Sequence, residues 1–101
     1  MTSHEESPEI EQLVWDVWNT EHIATHAVTR HDVEEAITGD TVTQATYKNR
    51  FLVLGPSRGR LLAVVIGPVP DQPGAYYTFS ARPASRSERR YYQRVKGSEE
   101  R

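Results

Sequence analysis

The densest group of side chains that could do chemistry is a run of arginines near the C-terminus of the chain. Arginine carries a planar fork of N–H donors that can bind a phosphate through two parallel hydrogen bonds. The run comprises Arg82, Arg86, Arg89, Arg90 and Arg94. Arg86, Arg90 and Arg94, in the expected last helix, are spaced four residues apart, so the helix places them on one face. The spacing predicts a cationic surface for a polyanion, and a solvated helix face that binds nothing fits it as well.

A tyrosine-rich segment directly precedes these arginines. Strand alternation predicts that Tyr76, Thr78, Ser80 and Arg82 share one face of a strand, which is then hydroxylic and ends in a cation. Aromatic rings stack on nucleic-acid bases while arginines hold the phosphates. The pattern indicates an RNA-binding surface, although tyrosines buried in a core fit it about as well.

Two histidines, His22 and His26, are spaced so that a helix could direct both at one metal ion. The residue after His22 is Ile23 rather than a glutamate, and no third ligand is evident. We therefore expect no metal site and no cofactor, and two surface or capping histidines. His26 remains a candidate for proton transfer, because imidazole titrates near neutral pH.

Charge is distributed unevenly along the 101 residues. Positions 1–40 hold ten acids and one base, whereas positions 41–101 hold eleven bases and four acids. Because fields act over about 8 Å at physiological salt, this division matters more than the net charge of −2. Either the two halves pair inside the fold, or a basic surface binds nucleic acid or an acidic protein.

Hydrophobic periodicity predicts a β-α-α-β-β-β-β-α order. The expected strands and helices are Ile10–Trp15, Asp16–Thr25 (burying Trp18 and Ile23), Arg30–Thr38, Val42–Lys48, Phe51–Leu54, Arg60–Ile66, Ala75–Arg82 and Ser85–Lys96. Turns are expected at Asn49-Arg50 and Gly55–Gly59 and a loop over Gly67–Gly74. The last helix should begin at a Ser85-x-x-Glu88 capping box and stop at Gly97.

These elements predict an α+β fold: a mostly antiparallel sheet with two N-terminal helices and one C-terminal helix packed on one side. We expect a mobile acidic tail at 1–9, one domain at 10–97 and a short tail at 98–101. The chain has no cysteine and no long apolar run. Its start resembles no signal peptide, so we expect no membrane association and a cytoplasmic location.

Several motifs together resemble the BrnT family of type II toxins. They are Trp15-Asp16, His26, Val28-Thr29 leading into Asp32-Val33-Glu34-Glu35-Ala36, the hairpin from Leu54-Gly55 to Gly59-Arg60-Leu61-Leu62, and Phe79-Ser80-Ala81-Arg82 running into Ser85–Tyr92. The likeness spans about residues 10–94, and its last block is the most specific part.

The resemblance implies a RelE-like fold and a metal-independent endoribonuclease that inhibits translation. It also implies a ribbon-helix-helix antitoxin as the partner, with DNA bound only through that antitoxin. The chain has Gly67-Pro68 where many of these toxins carry a glutamate. A non-catalytic basic module that binds nucleic acid or an acidic protein is therefore the alternative.

For a nuclease, we expect the catalytic residues to be Arg82, His26, Arg60 and Tyr76. Arg82 would clamp the phosphate with help from Arg50 or Arg60, and His26, Tyr76 or Tyr92 would move the proton. The residues expected to bind flanking RNA, or an acidic segment of the antitoxin, are Arg50, Arg86, Arg89, Arg90 and Tyr92.

Overall fold

The computed structural model describes residues 8–99 of the chain. Within them the elements are β1 Gln12–Val14, α1 Val17–Ala24, α2 Arg30–Thr38, β2 Val42–Thr46, β3 Arg50–Ser57, β4 Arg60–Pro68, β5 Ala75–Pro83 and α3 Arg86–Glu99. The α+β class and the predicted order of elements are confirmed. The tail predicted at 1–9 lies outside the described residues except for positions 8 and 9, and positions 100 and 101 of the predicted C-terminal tail also lie outside them.

The five strands form one sheet in the order β1-β5-β4-β3-β2. The pairs from β2 to β5 are antiparallel and follow the chain as hairpins. The short β1 pairs with β5 in parallel, from Gln12 opposite Ala75 to Val14 opposite Tyr77. The sheet is therefore mixed, with one parallel edge added to an antiparallel meander.

Both tight turns of the meander use consecutive residues with positive φ. Lys48 and Asn49 have φ of 61° and 60°, and Arg58 and Gly59 have φ of 56° and 80°. Arg58 and Gly59 form a two-residue turn, whose geometry matches the twist of the strands it joins, whereas three residues, 47–49, separate β2 from β3. The predicted turn at 55–59 is consequently too long, because β3 continues to Ser57 and only Arg58 and Gly59 reverse the chain. Pro56 is tolerated in β3 because β2 pairs only as far as Leu54.

The helices lie on both faces of the sheet, so the prediction that they pack on one side is wrong. The covered face carries Val53, Leu62 and Val64, which form the main core with Ile23 and Val33 of the two N-terminal helices. The alternate residues Leu54 and Ala63 point to the other face. There they pack with Ala84, Val42 and the side chains Tyr91, Tyr92 and Val95 of α3.

A β-bulge at Phe79 breaks the alternation predicted for β5. Val65 pairs with Ser80 and Ile66 pairs with Thr78, so Phe79 is the extra residue. Thr78 is fully buried beside core residue Ile66, and Tyr76 also packs against the main core. The shared face predicted for Tyr76, Thr78, Ser80 and Arg82 is therefore wrong: the first two lie on the covered face and the last two on the opposite one.

Side-chain caps start all three helices. Asp16 and Thr29 accept hydrogen bonds from the backbone N–H groups of Asn19 and Asp32, which reciprocate. The predicted box at α3 is confirmed: Glu88 N–H donates to Ser85 Oγ at 3.2 Å, and Ser85 N–H donates to Glu88 Oε1 at 2.8 Å. Gly97 does not stop α3, which continues to Glu99. No helix within residues 8–99 is long and apolar enough to cross a bilayer.

Candidate functional site

The sheet face that carries α3 is only partly covered, and the uncovered part forms a shallow cavity of about 510 Å³. We call it the open basin. Its lining comes from α1, the β2–β3 hairpin, β4 and β5, and consists of Trp18, Thr46, Tyr47, Arg50, Leu52, Val65, Phe79, Ser80 and Arg82. The bulge in β5 places Phe79 and Ser80 on this face together. The basin thus combines four polar or cationic groups with three aromatic rings and an apolar floor.

Arg50 lies over the ring of Phe79 in the lining of the basin. Its guanidinium carbon is 3.7 Å from the ring centroid, a close cation–π contact. Gly67 lies beneath this pair, since a Cβ built there would come within 2.9 Å of Phe79 Cε2 and 3.3 Å of Arg50 Cγ. Because Gly67 has no side chain, Arg50 and Phe79 can pack directly against β4 at this position.

Arg82 borders the basin where α3 begins. Its Nη1 and Nη2 donate to the two carboxylate oxygens of Glu88 at 2.8 and 2.9 Å. These bonds, together with the N–H of Ser85, lower the pKa of Glu88 to about 2. The same partner raises the pKa of Arg82. The guanidinium is thus fixed in orientation by the residue that caps α3, with its remaining N–H donors on a partly exposed side chain.

Trp18 forms the wall of the basin on the α1 side, and its predicted burial is wrong, since 57% of it is exposed. The predicted burial of Ile23 is confirmed, and the second buried residue of the helix is Asn19 rather than Trp18. Asn19 is held inward because its amide donates to Val14 O at 3.0 Å and its oxygen accepts from Asp16 N–H at 2.9 Å. Helical geometry then turns the neighbouring Trp18 outward.

A column of rings extends from Trp18 along α1. His22 stacks on Trp18 with ring centroids 5.0 Å apart and planes 9° from parallel. His26 follows in the turn after α1 and meets His22 edge-on at 5.9 Å. The predicted proton carrier His26 is therefore linked to the basin through His22, which is the nearer imidazole to the Trp18 wall.

Tyr47 forms the opposite rim, at the end of β2, and is 71% exposed. The next residue, Lys48, lies 5.7 Å from its ring centroid. No acidic residue belongs to the lining drawn from residues 8–99, and Arg50 makes no ion pair with any described carboxylate. Arg50 is therefore the lining cation without an ion pair among the described residues, whereas the charge of Arg82 is matched by Glu88, and the rims are exposed aromatic rings.

Three of the predicted catalytic residues lie outside the lining of the basin: His26, which is separated from it by His22 and Trp18, and also Arg60 and Tyr76. Arg60 donates to Ala27 O at 2.8 Å and lies 3.4 Å from Asp32 Oδ2, beside the start of α2. Tyr76 packs against the main core and meets Phe51 edge-on at 6.4 Å. The structure brings Arg50 and Arg82 together on one surface and does not bring Arg60 or Tyr76 to it.

The predicted RNA-binding residues of α3 are placed separately. Arg86 and Arg90 are exposed. Arg89 donates to Ala84 O at 2.9 Å and, with Arg60, lines a second cavity of about 450 Å³ between α3 and the β3–β4 hairpin. Tyr92 donates its hydroxyl to Asp40 O at 2.6 Å and anchors α3. Only Arg50, of the residues predicted to bind flanking RNA, lines the basin.

A group of possible metal ligands, His31, Asp32 and Glu35, occurs at the start of α2. Asp32 is buried and already accepts from Thr29 N–H at 3.0 Å, and Arg58 and Arg60 lie at 3.3 and 3.4 Å. The Thr29 backbone bond is the main cause that lowers its pKa. Asp32 is therefore a structural anchor for the start of α2 and the β3–β4 hairpin.

Sequence reasoning missed Trp18, Tyr47 and Phe79 as site residues. The Asp16-x-x-Asn19 capping pair was the available signal for Trp18, because it fixes which side of α1 faces inward. No comparable signal marked Phe79, since a bulge cannot be located from alternation alone.

No protein-family model, curated protein or solved structure matches this chain.

Proposed function

We propose that this chain binds RNA in the open basin and cleaves it without a metal ion, as the toxin of a type II toxin–antitoxin system. The observation that carries the proposal is the pairing of Arg50 and Arg82 with three aromatic rings on a surface without acidic lining residues. Arginines engage phosphates while rings stack on bases, and this combination is typical of single-strand binding sites. The motif resemblance to the BrnT toxins adds the cleavage and the toxin role.

The reaction would be a transesterification within the RNA. The 2′-oxygen attacks the neighbouring phosphorus as its proton leaves to a base. The bond to the 5′-oxygen breaks, and an acid protonates that oxygen, giving a 2′,3′-cyclic phosphate and a 5′-hydroxyl. Arg82 and Arg50 would stabilise the extra negative charge on the phosphorane. We assign this role to Arg50 rather than Arg60, because Arg60 is engaged beside the start of α2.

The histidine column is the best source of the proton carriers. His22 and His26 are the imidazoles connected to the Trp18 wall. The placement of Tyr76 in the main core argues against its use. Neither imidazole belongs to the lining of the basin, because the Trp18 ring stands between His22 and the basin. In this proposal proton transfer to and from these imidazoles therefore passes through water.

The cellular partner in this proposal is a ribbon-helix-helix antitoxin that blocks the basin. Its binding segment should be acidic, since the basin and the exposed arginines Arg86 and Arg90 are cationic. DNA would be bound through the antitoxin, and the complex would act in the cytoplasm.

A non-catalytic RNA-binding module is the second candidate. Two observations favour it: both Nη atoms of Arg82 are already engaged by Glu88, and no carboxylate among the described residues lines the basin to act as a base. A charge-paired arginine can still hold a strand through its remaining donors. The two candidates share the site and differ in turnover.

The test is RNA turnover by the purified chain in EDTA, together with growth after induced expression in a bacterial host. The proposal expects cleavage products ending in a cyclic phosphate and arrested growth. Arg50→Ala should reduce cleavage at least about 100-fold, as loss of one charge-stabilising donor does. Arg90→Ala removes the same charge from the exposed side of α3 and should change it little. RNA binding with no turnover would select the second candidate.

A further inference from the structure

We infer that Trp18 and Tyr47 are base-stacking residues and that the open basin selects unpaired bases over duplex. The inference rests on the proposed RNA binding, and it adds the preference for single strand over duplex and assigns the stacking to two particular rings. Both rings belong to the lining of the basin, and both are unusually exposed for aromatic side chains, at 57% and 71%.

The two rings stand on opposite sides of the sheet surface. Tyr47 follows edge strand β2, whereas Trp18 is on α1, which packs along β5. Three strand spacings of about 4.8 Å separate β2 from β5, so the backbones of these two strands are roughly 14 Å apart. At about 3.4 Å per stacked base, this distance covers a few nucleotides. A strand that crosses the basin therefore meets a ring at each rim.

Trp18 is held ready for stacking by His22. The imidazole covers one face of the indole in a nearly parallel stack. The ring is therefore oriented before a ligand arrives, which lowers the entropy lost on binding. A base added to the exposed side of the indole would extend the stack from His22 through Trp18 into the basin.

Charge and shape together favour a single strand as the occupant. Arg50 and Arg82 lie between the two rims, where the sugar–phosphate backbone would cross, and Arg50 makes no ion pair with a described carboxylate. Only unpaired bases expose the faces that the rims could stack on. A duplex would present phosphates to the arginines and leave both rings unused.

The experiment measures affinity for a labelled RNA of about 12 nucleotides, which is within the range of known single-strand sites and longer than the few nucleotides between the two rings. The RNA is free of self-complementarity and carries 2′-O-methyl groups to prevent cleavage. The same RNA annealed to its complement is the competitor, and a polyglutamate peptide is a second one. The variants are Trp18→Ala, Tyr47→Ala and Tyr47→Phe. Val17→Ala is the matched control, because Val17 is the neighbouring residue, is 72% exposed and lines a different cavity.

We expect the single strand to bind more tightly than the duplex. Trp18→Ala and Tyr47→Ala should each weaken binding about 5- to 150-fold, the range found for loss of one stacking ring. Tyr47→Phe and Val17→Ala should stay within about twofold of the parent, because the first keeps its ring and the second never had one.

Equal affinity for duplex, or a Trp18→Ala value no weaker than that of Val17→Ala, would overturn the inference while RNA binding itself stood. Displacement of the RNA by polyglutamate as effectively as by unlabelled RNA would show a purely ionic site and would also overturn it. If single-strand binding depends on Trp18 but unmodified RNA is not cleaved, this inference stands and the nuclease proposal is removed. A chain that binds neither strand form would remove both.

Discussion

The two faces of the sheet are built from alternate residues of the same strands, yet they have opposite properties. The covered face is closed by two helices, and its residues Leu62, Val64 and Ile66 are fully buried. On the other face α3 covers only one part, and Leu52, Val65 and Phe79 remain half-exposed. One face supplies the core that stabilises the fold, while the other keeps apolar, aromatic and cationic surface available for a ligand. Mutations in matched pairs across the sheet should separate these two properties.

The largest difference is expected for leucine truncation. Leu62→Ala removes a fully buried side chain from the core and should lower the free energy of unfolding by about 2–5 kcal/mol. Leu52→Ala, on the open face, removes a partly exposed side chain and should cost less than half as much. Urea denaturation of both variants measures the difference. Equal losses would mean that the basin floor belongs to the core.

A glycine on each face offers the second comparison, beginning with Gly55 on the covered face. A Cβ at Gly55 would come within 2.3 Å of the backbone oxygen of Ala36, so α2 would have to move. We expect Gly55→Ala to cost about 1–3 kcal/mol, as overpacking usually does. Thermal unfolding followed by circular dichroism is the measurement, and an unchanged midpoint would show that α2 adjusts freely.

The Glu88 carboxylate links the open face to acid stability. Its folded pKa of about 2 lies below the usual 4.5, so its stabilising effect is complete above about pH 4.5 and is lost as the pH falls toward 2. The pKa of Asp32 is also lowered, but Asp32 is present in both the parent and the Glu88→Gln variant. The difference between their stability curves therefore reports on Glu88. Glu88→Gln keeps an acceptor for the Ser85 N–H but loses the ion pair with Arg82, so it should lower stability at pH 7 by about 1.5 kcal/mol. It should also flatten the decline between pH 4.5 and 2. Parallel curves for variant and parent would contradict the assignment.

The smallest effect on stability is expected for Gly67→Ala on the open face. Its new Cβ would meet side chains, Phe79 and Arg50, rather than backbone. Replacing a strand glycine gains about 0.5 kcal/mol, which should offset much of the displacement. The free energy of unfolding should change by less than about 1 kcal/mol while RNA affinity falls, because the Arg50–Phe79 contact is disturbed. A stable variant with full affinity would show that this contact does not matter for binding.

Much of the fold could be predicted from local signals. The order of the elements followed from the change of hydrophobic period, and the Ser85-x-x-Glu88 box located the start of α3. Nothing local showed on which face α3 packs, because its apolar stripe of Tyr91, Tyr92 and Val95 suits either side of the sheet. That choice depends on which sheet positions the first two helices already occupy.

The candidate site was predictable only in part, for the same reason. Arg50 and Arg82 were recognised by residue type, but their shared surface depends on the bulge at Phe79. Arg60 matched the same chemical description and lies elsewhere, because strand parity directs it toward Asp32. Residue type identifies candidate site residues. The alternation of side chains along each strand and the position of bulges determine which candidates lie on the same face of the sheet.

The parallel pairing of β1 with β5 has a consequence for the order of assembly. Gln12 pairs with Ala75, 63 positions later in the chain, so closing this edge costs far more loop entropy than forming any of the hairpins. Contacts of such long sequence separation slow folding. The β2–β5 meander can therefore form first. Helix α1, which carries Trp18 at the wall of the open basin, can dock only once β5 has been synthesised. During translation the basin therefore stays incomplete until β5, which supplies Phe79, Ser80 and Arg82, has been made.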